Sequence, residues 1–202
     1  MESTVAIIGA GPLGRRLALE AARAGFRVLL EDVMPTNLHH AREELRQQLG
    51  PDAFRDTAEA APCVAFVSTI EDAVRDADLA IDCVPDELES KLEILWLLDR
   101  MAPPRTIINT PTTRLSIADL ANCTYRPQKC VAIAAEASSL AIGESRSILL
   151  RTTSRTAPET VAALDHFWRA LGFTPTFEPD PAEPAGSAVV SPDFSLGAST
   201  NS

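Results

Sequence analysis

A chain of 202 residues, 46% hydrophobic and 23% charged, is long enough to bury a substantial core in one ordinary domain with a tail. Its formal net charge of −10 disfavours a nucleic-acid backbone or an anionic membrane as partner, and no apolar run reaches the length of a bilayer-spanning helix. The four cysteines, Cys63, Cys83, Cys123 and Cys130, form no CxxC pair and are expected as reduced thiols in a cytoplasmic compartment. The N-terminus lacks the basic and apolar segments of a signal peptide.

In chain order, Val5–Ile8 is a continuous apolar run that stops at glycine, as a buried parallel strand does. Leu13–Ala24 has helical composition with Gly25 at its C-cap, Phe26–Leu30 reads as a second strand, and Leu38–Leu49 as an amphipathic helix stopped by Gly50-Pro51. Cys63–Val67 is a short strand followed by a helical turn at Glu71–Arg75. Leu79–Val84 is another buried strand, and Glu87–Met101 a helix broken by Pro103-Pro104. Thr106–Ile108 is a strand, and Ser116–Ala121 a short helix with Ser116 as N-cap. Cys130–Ala134 and Ser147–Arg151 are strands, Pro158–Leu171 a helix ended by Gly172, and Thr174–Phe177 a last strand. From Pro179 the periodicity fades, and Pro, Ala, Gly and Ser dominate. Residues 1–181 are thus expected as one α/β domain with a mainly parallel sheet, and 182–202 as a flexible tail.

The first strand, turn and helix carry Gly9-x-Gly11-x-x-Gly14, and Asp32 ends the next strand. That context is what a dinucleotide-binding fingerprint requires, so the fold is expected to be a Rossmann-type doubly wound sheet. Gly9 allows a tight turn, Gly11 leaves room for a pyrophosphate, and Gly14 lets the helix lie against the strand. Gly9, Gly11, Pro12, Leu13 and Gly14 are the expected cradle. Asp32 would accept from the adenosine ribose hydroxyls and repel a 2′-phosphate, which favours NAD over NADP. Glu31, as its strand neighbour, is expected to face the other side.

The stretch DADLAIDCVPDELESKLEILWLLDRMAPPRTII resembles the equivalent segment of the 3-hydroxyacyl-CoA dehydrogenases, and the resemblance runs from about residue 4 to residue 181. It implies that Asp86, after Val-Pro, and Lys91 contact the nicotinamide half of NAD; the acid is shortened here from the family's Glu. That family uses a Ser on the substrate's 3-oxygen, a His as general acid/base, a Glu that orients it, and an Asn from a separate helical domain. Anchored on Leu115-Ser116-Ile117, the Ser position becomes Thr113, with Thr110 or Thr112 as alternatives if gaps are allowed. On the same alignment the His becomes Ala134, the Asn of its motif Ala137, and the orienting Glu Arg146. Loss of such a base removes roughly 10²–10⁴ in rate. Glu136 and Glu144 are the carboxylates that could replace it.

His39 and His40 read as surface residues near the adenosine side, and His166 as a packed, hydrogen-bonded residue beside Phe167 and Trp168. No spacing suggests a metal site. The expected function is NAD(H) binding with weak or no stand-alone turnover. The alternative is an active oxidoreductase, with a substituted acid/base or completed by a partner chain that brings a helical domain and with it acyl-CoA. A nucleotide-free interaction domain is the third reading, and self-association is compatible with each.

Overall fold

The computed structural model describes residues 3–54, 63–135 and 146–183. Its strands are β1 (Thr4–Ile8), β2 (Arg27–Glu31), β3 (Val64–Val67), β4 (Leu79–Asp82), β5 (Ile107–Pro111), β6 (Cys130–Ile133), β7 (Ser147–Thr152) and β8 (Thr174–Pro179). Its helices are α1 (Pro12–Arg23), α2 (Pro35–Leu49), α3 (Ile70–Val74), α4 (Leu88–Met101), α5 (Ile117–Asn122) and α6 (Pro158–Ala170). The strands form one sheet in the order β3-β2-β1-β4-β5-β6-β7-β8. Its first six members are parallel; β7 then runs against β6, and β8 runs parallel to β7. The order reverses between β1 and β4, which is where open sheets of this kind bind ligands.

Alternation along the strands explains why the apolar runs are continuous. Val5 and Ile7 of β1 join Val28 and Leu30 of β2 in a core covered by α1, α2 and α6, while Ala6, Ile8 and Leu29 join the core under α3, α4 and α5. Helices α1, α2 and α6 each open on a proline, whose missing N–H is one a helix start leaves unpaired anyway. This carries α2 back to Pro35, ahead of the apolar periodicity that begins at Leu38.

Strand β5 also runs further than its apolar residues, through Asn109 and Thr110 to Pro111. These polar groups are tolerated because each is paired: Asn109 Nδ2 donates to the Val131 carbonyl at 2.8 Å and Trp168 Nε1 donates to Asn109 Oδ1 at 3.1 Å. The end of β8 is fastened to the start of α5. Asp180 accepts from Ser116 Oγ at 2.8 Å and from the amides of Ala118 and Ala182 at 2.9 and 3.0 Å. Burial pushes this carboxyl up, but those donors outweigh it and hold it below its usual value. Residues 184–202, which include most of the expected tail, lie outside the described residues.

The contact of α1 with β1 leaves no room for a side chain at Gly14, where a Cβ would sit 1.8 Å from the Gly9 carbonyl oxygen. At Gly11 a Cβ would meet nothing within 4 Å. Gly14→Ala is therefore expected to cost at least about 2 kcal/mol, and Gly11→Ala under about 1 kcal/mol, in denaturant unfolding. Equal losses at the two positions would contradict the packing described.

Candidate functional site

The carboxyl ends of β1, β2 and β4 open into a cleft of about 430 Å³, lined among others by Gly9, Gly11, Glu31, Asp32, Val84 and Pro85. Gly9 takes φ 102°, which an L side chain rarely adopts, and its N–H donates to the Glu31 carbonyl at 2.8 Å. The chain then enters α1 with extended Gly11 as N-cap, no capping side chain and no acidic residue in the first turn. Pro12 has no N–H, and helix geometry gives the amides of Leu13 and Gly14 no intrahelical acceptor. They are left for an anion, and the empty space beside Gly11 is where a diphosphate would approach. The sequence-predicted cradle of Gly9, Gly11, Pro12, Leu13 and Gly14 is thus one continuous turn, and its residues fit that group.

Asp32 is held in place by three donors. Its Oδ2 accepts from the Ala10 amide at 2.8 Å and from Asn37 Nδ2 at 3.0 Å, and its Oδ1 accepts from the Met34 amide at 2.8 Å. A carboxylate offers about four acceptor positions, so Oδ1 retains one for a ribose hydroxyl. Asn37 was not singled out in the sequence; the signal was its place in the first turn of the helix after Asp32. Glu31 lies on the opposite strand face, as alternation requires, yet it also lines the cleft. Its Oε1 is buried without a hydrogen-bond partner. Burial first, then the charge of Asp32, push this carboxyl up to about 7.

The β4–α4 turn forms the other wall. Lys91 departs from expectation: it is 0% exposed, and its Nζ donates to Asp82 Oδ2 at 3.0 Å and to the Val84 carbonyl at 3.1 Å. Asp82 also accepts from Thr110 Oγ1 at 2.8 Å and from the Val84 amide at 3.0 Å. The ammonium therefore shapes the turn from below and presents no face to the cleft. Its long stem allows this, running from the buried side of α4 to β4, and the motif alone does not reveal it. Burial, and then the Asp82 charge, push the Cys83 thiol up, which disfavours its thiolate.

Asp86 and Thr113 are brought together: the Thr113 amide donates to Asp86 Oδ2 at 3.1 Å, and Arg114 Nη2 reaches the Asp86 carbonyl. Of the three threonines considered, Thr113 is exposed and Thr110 and Thr112 are buried. The Thr110 hydroxyl is bonded to Asp82, and Thr112 Oγ1 accepts from the Arg114 and Leu115 amides. Ala134 follows the end of β6, its amide donating to the Leu149 carbonyl at 2.8 Å. Arg146 is engaged elsewhere, with Leu171 O at 3.2 Å, Glu20 at 3.6 Å and the Phe173 ring at 5.3 Å. Glu136, Ala137 and Glu144 lie outside the described residues. His39 and His40 are exposed on α2. His166 is exposed too, contrary to the packed position expected for it, because the buried face of α6 is taken by Leu164, Phe167 and Trp168.

The chain is similar in sequence and fold to known proteins. A family model described as the 3-hydroxyacyl-CoA dehydrogenase NAD binding domain matches residues 4–177. A probable 3-hydroxybutyryl-CoA dehydrogenase of Bacillus subtilis is 34% identical over 133 residues, 63% of this chain and 46% of the relative. The 5-formyl-3-hydroxy-2-methylpyridine 4-carboxylate 5-dehydrogenase of Mesorhizobium japonicum is 30% identical over 184 residues, 87% of this chain and 57% of the relative. The crystal structure of an Archaeoglobus fulgidus 3-hydroxyacyl-CoA dehydrogenase superposes with a TM-score of 0.73 at 24% identity, over 89% of this chain and 57% of that one, and shows the same fold. The chain spans about half the length of these relatives.

Two stability measurements follow. Glu31 holds its proton more tightly folded than unfolded, so its contribution is complete below about pH 4.5 and is lost as pH rises through about 7. The slope is at most about 1.4 kcal/mol per pH unit. Glu31→Gln should flatten that part of the profile and gain on the wild type toward pH 8; parallel profiles would remove the raised carboxyl. Lys91→Met leaves Asp82 buried and unbalanced and should cost about 3–5 kcal/mol in unfolding free energy. A loss under about 1 kcal/mol would contradict the buried pair.

Proposed function

We propose that this chain, which belongs to the family of 3-hydroxyacyl-CoA dehydrogenase NAD-binding domains, binds NAD(H) at the cleft above β1, β2 and β4 and has little or no dehydrogenase turnover by itself. The observation that carries the reading is a contrast. The diphosphate cradle and its ribose acid are complete, while the position where the family resemblance puts a general acid/base is Ala134.

Bound NAD supplies a hydride acceptor, and NADH a donor. The chain's own residues hold and orient it: the Leu13 and Gly14 amides face the diphosphate, Asp32 takes a ribose hydroxyl, and Asp86 sits at the nicotinamide end. The hydroxyl of exposed Thr113, whose amide is held by Asp86, is the group offered to a substrate oxygen. A hydroxyl can orient that oxygen but is itself a poor general acid/base at neutral pH, and the adjoining Asp86 carboxylate is engaged through Oδ2 by the Thr113 amide. Ala134 has no proton to move, and the Arg146 guanidinium is engaged with Leu171, Glu20 and Phe173.

The second reading is an oxidoreductase completed by a partner chain that contributes a proton-transfer group and an acyl-CoA pocket. It is favoured by the exposure of Thr113 and by the extra length of the relatives, and self-association is another way to cover that mouth. A cytoplasmic setting agrees with four cysteines that are all free and, among the described residues, with the lack of any helix long and apolar enough to cross a membrane.

NADH fluorescence should rise saturably on titration with the protein. Asp32→Ala should weaken that binding by about 1–3 kcal/mol, and Gly11→Ala should weaken it while leaving stability nearly intact. With acetoacetyl-CoA added, the isolated chain should leave NADH absorbance unchanged. Absence of binding rejects the whole reading; clear NADH loss moves the protein to the second one.

A further inference from the structure

Glu31 is unlike the acid next to it. Asp32 has three donors, whereas Glu31 Oε1 is buried with none, and the residue is 2% exposed. Its Cα pairs with that of Ile8 across the β1–β2 ladder, and the two share the sheet face of Leu29 and Ala6. On that face the cleft is walled by Ile8, Ile70, Val84 and Ile94. The result is an apolar slot next to the ribose acid, lined in part by Glu31, a residue with one buried oxygen that lacks a donor. A flat ring suits such walls, and a buried acceptor without a partner is a cost that a ligand N–H removes.

We infer that Glu31 reads the 6-position of the cofactor's purine: Oε1, unpartnered in the slot walled by Ile8, Ile70, Val84 and Ile94, accepts a hydrogen bond from the exocyclic amine of adenine. The inference rests on the proposed NAD(H) binding and adds to it the group that recognises the base. The direction of the ligand is consistent. The diphosphate lies at Gly11–Gly14 and the ribose at Asp32, so the base continues away from the cradle into the slot. Glu31 is a specificity residue in this scheme; it is remote from Thr113 and from the hydride's destination.

The test compares NADH with the reduced nicotinamide purine dinucleotide, in which hydrogen replaces the 6-amine, by fluorescence titration of the full chain at pH 8. The wild type should bind NADH about tenfold more tightly than the purine analogue. Glu31→Val should lose that preference by weakening NADH alone, and Glu31→Gln, whose amide oxygen still accepts, should keep most of it. Thermal melting checks that both variants fold; removing a buried carboxyl with an unpartnered oxygen should leave the midpoint equal or higher. Equal affinity of the wild type for the two dinucleotides, or an undiminished preference in Glu31→Val, overturns the inference while the cofactor site stands. Binding of neither dinucleotide by the wild type overturns the cofactor site and the inference together.

Discussion

The approach of α1 to β1 at Gly14 governs the arrangement of everything above the sheet. Because the Gly9 carbonyl lies where a Cβ would be, the helix axis drops onto the strand end and its first amides point into the cleft. The same turn is stitched to its neighbour twice: Gly9 N–H donates to the Glu31 carbonyl, and the Ala10 amide to Asp32. The anion-facing amides and the ribose acid are therefore set by one backbone path, and neither can move without the other. The protein carries a net charge of −10, so attraction for an anionic cofactor must come from this local array of dipoles.

The opposite wall is organised by a buried ion pair. Lys91 and Asp82 are both 0% exposed, and Thr110 and the Val84 amide complete the set of donors around the aspartate. A pair of this kind gains little over apolar packing, but it requires one geometry, since every alternative leaves a charge in the core. It fixes the turn Cys83–Asp86 against β5, and through the bond from the Thr113 amide to Asp86 it sets the loop that follows β5. A rigid cofactor site thus adjoins a surface on which the described side chains offer the Thr113 hydroxyl and the Asp86 carboxylate, with Ala134 where the resemblance puts a base.

Much of this was legible in the residues. The apolar run at Val5–Ile8 and the largely apolar one at Leu79–Val84 announce strands covered on both faces, and the spacing of Gly9, Gly11, Gly14 and Asp32 has meaning in that context. What was not legible depends on contacts distant in sequence. Asn109 and Thr110 look like the start of a turn, and only Trp168, Val131 and Asp82 make them strand. Lys91 resembles a ligand residue because the motif records its spacing and not the direction of its stem. His166 reads as packed beside Phe167 and Trp168 in the sequence, but the helix turns it outward. Glu31 could be assigned to the opposite face by alternation; that this face also borders the cleft is visible only once Ile70, Val84 and Ile94 are brought to its rim.

The clasp at Asp180 has a mechanical consequence. It holds the end of β8 to Ser116, and Ser116 follows the short loop whose Thr113 amide is tied to Asp86. A load applied to the polypeptide past Glu183 meets the Glu183 carboxylate on Ser154 first and then the Asp180 clasp, which shares it between the end of β7 and that loop, a few residues from the mouth of the cleft. Whatever is attached beyond Glu183, a tag, a resin or another protein, pulls on the rim of the site through these two carboxylates.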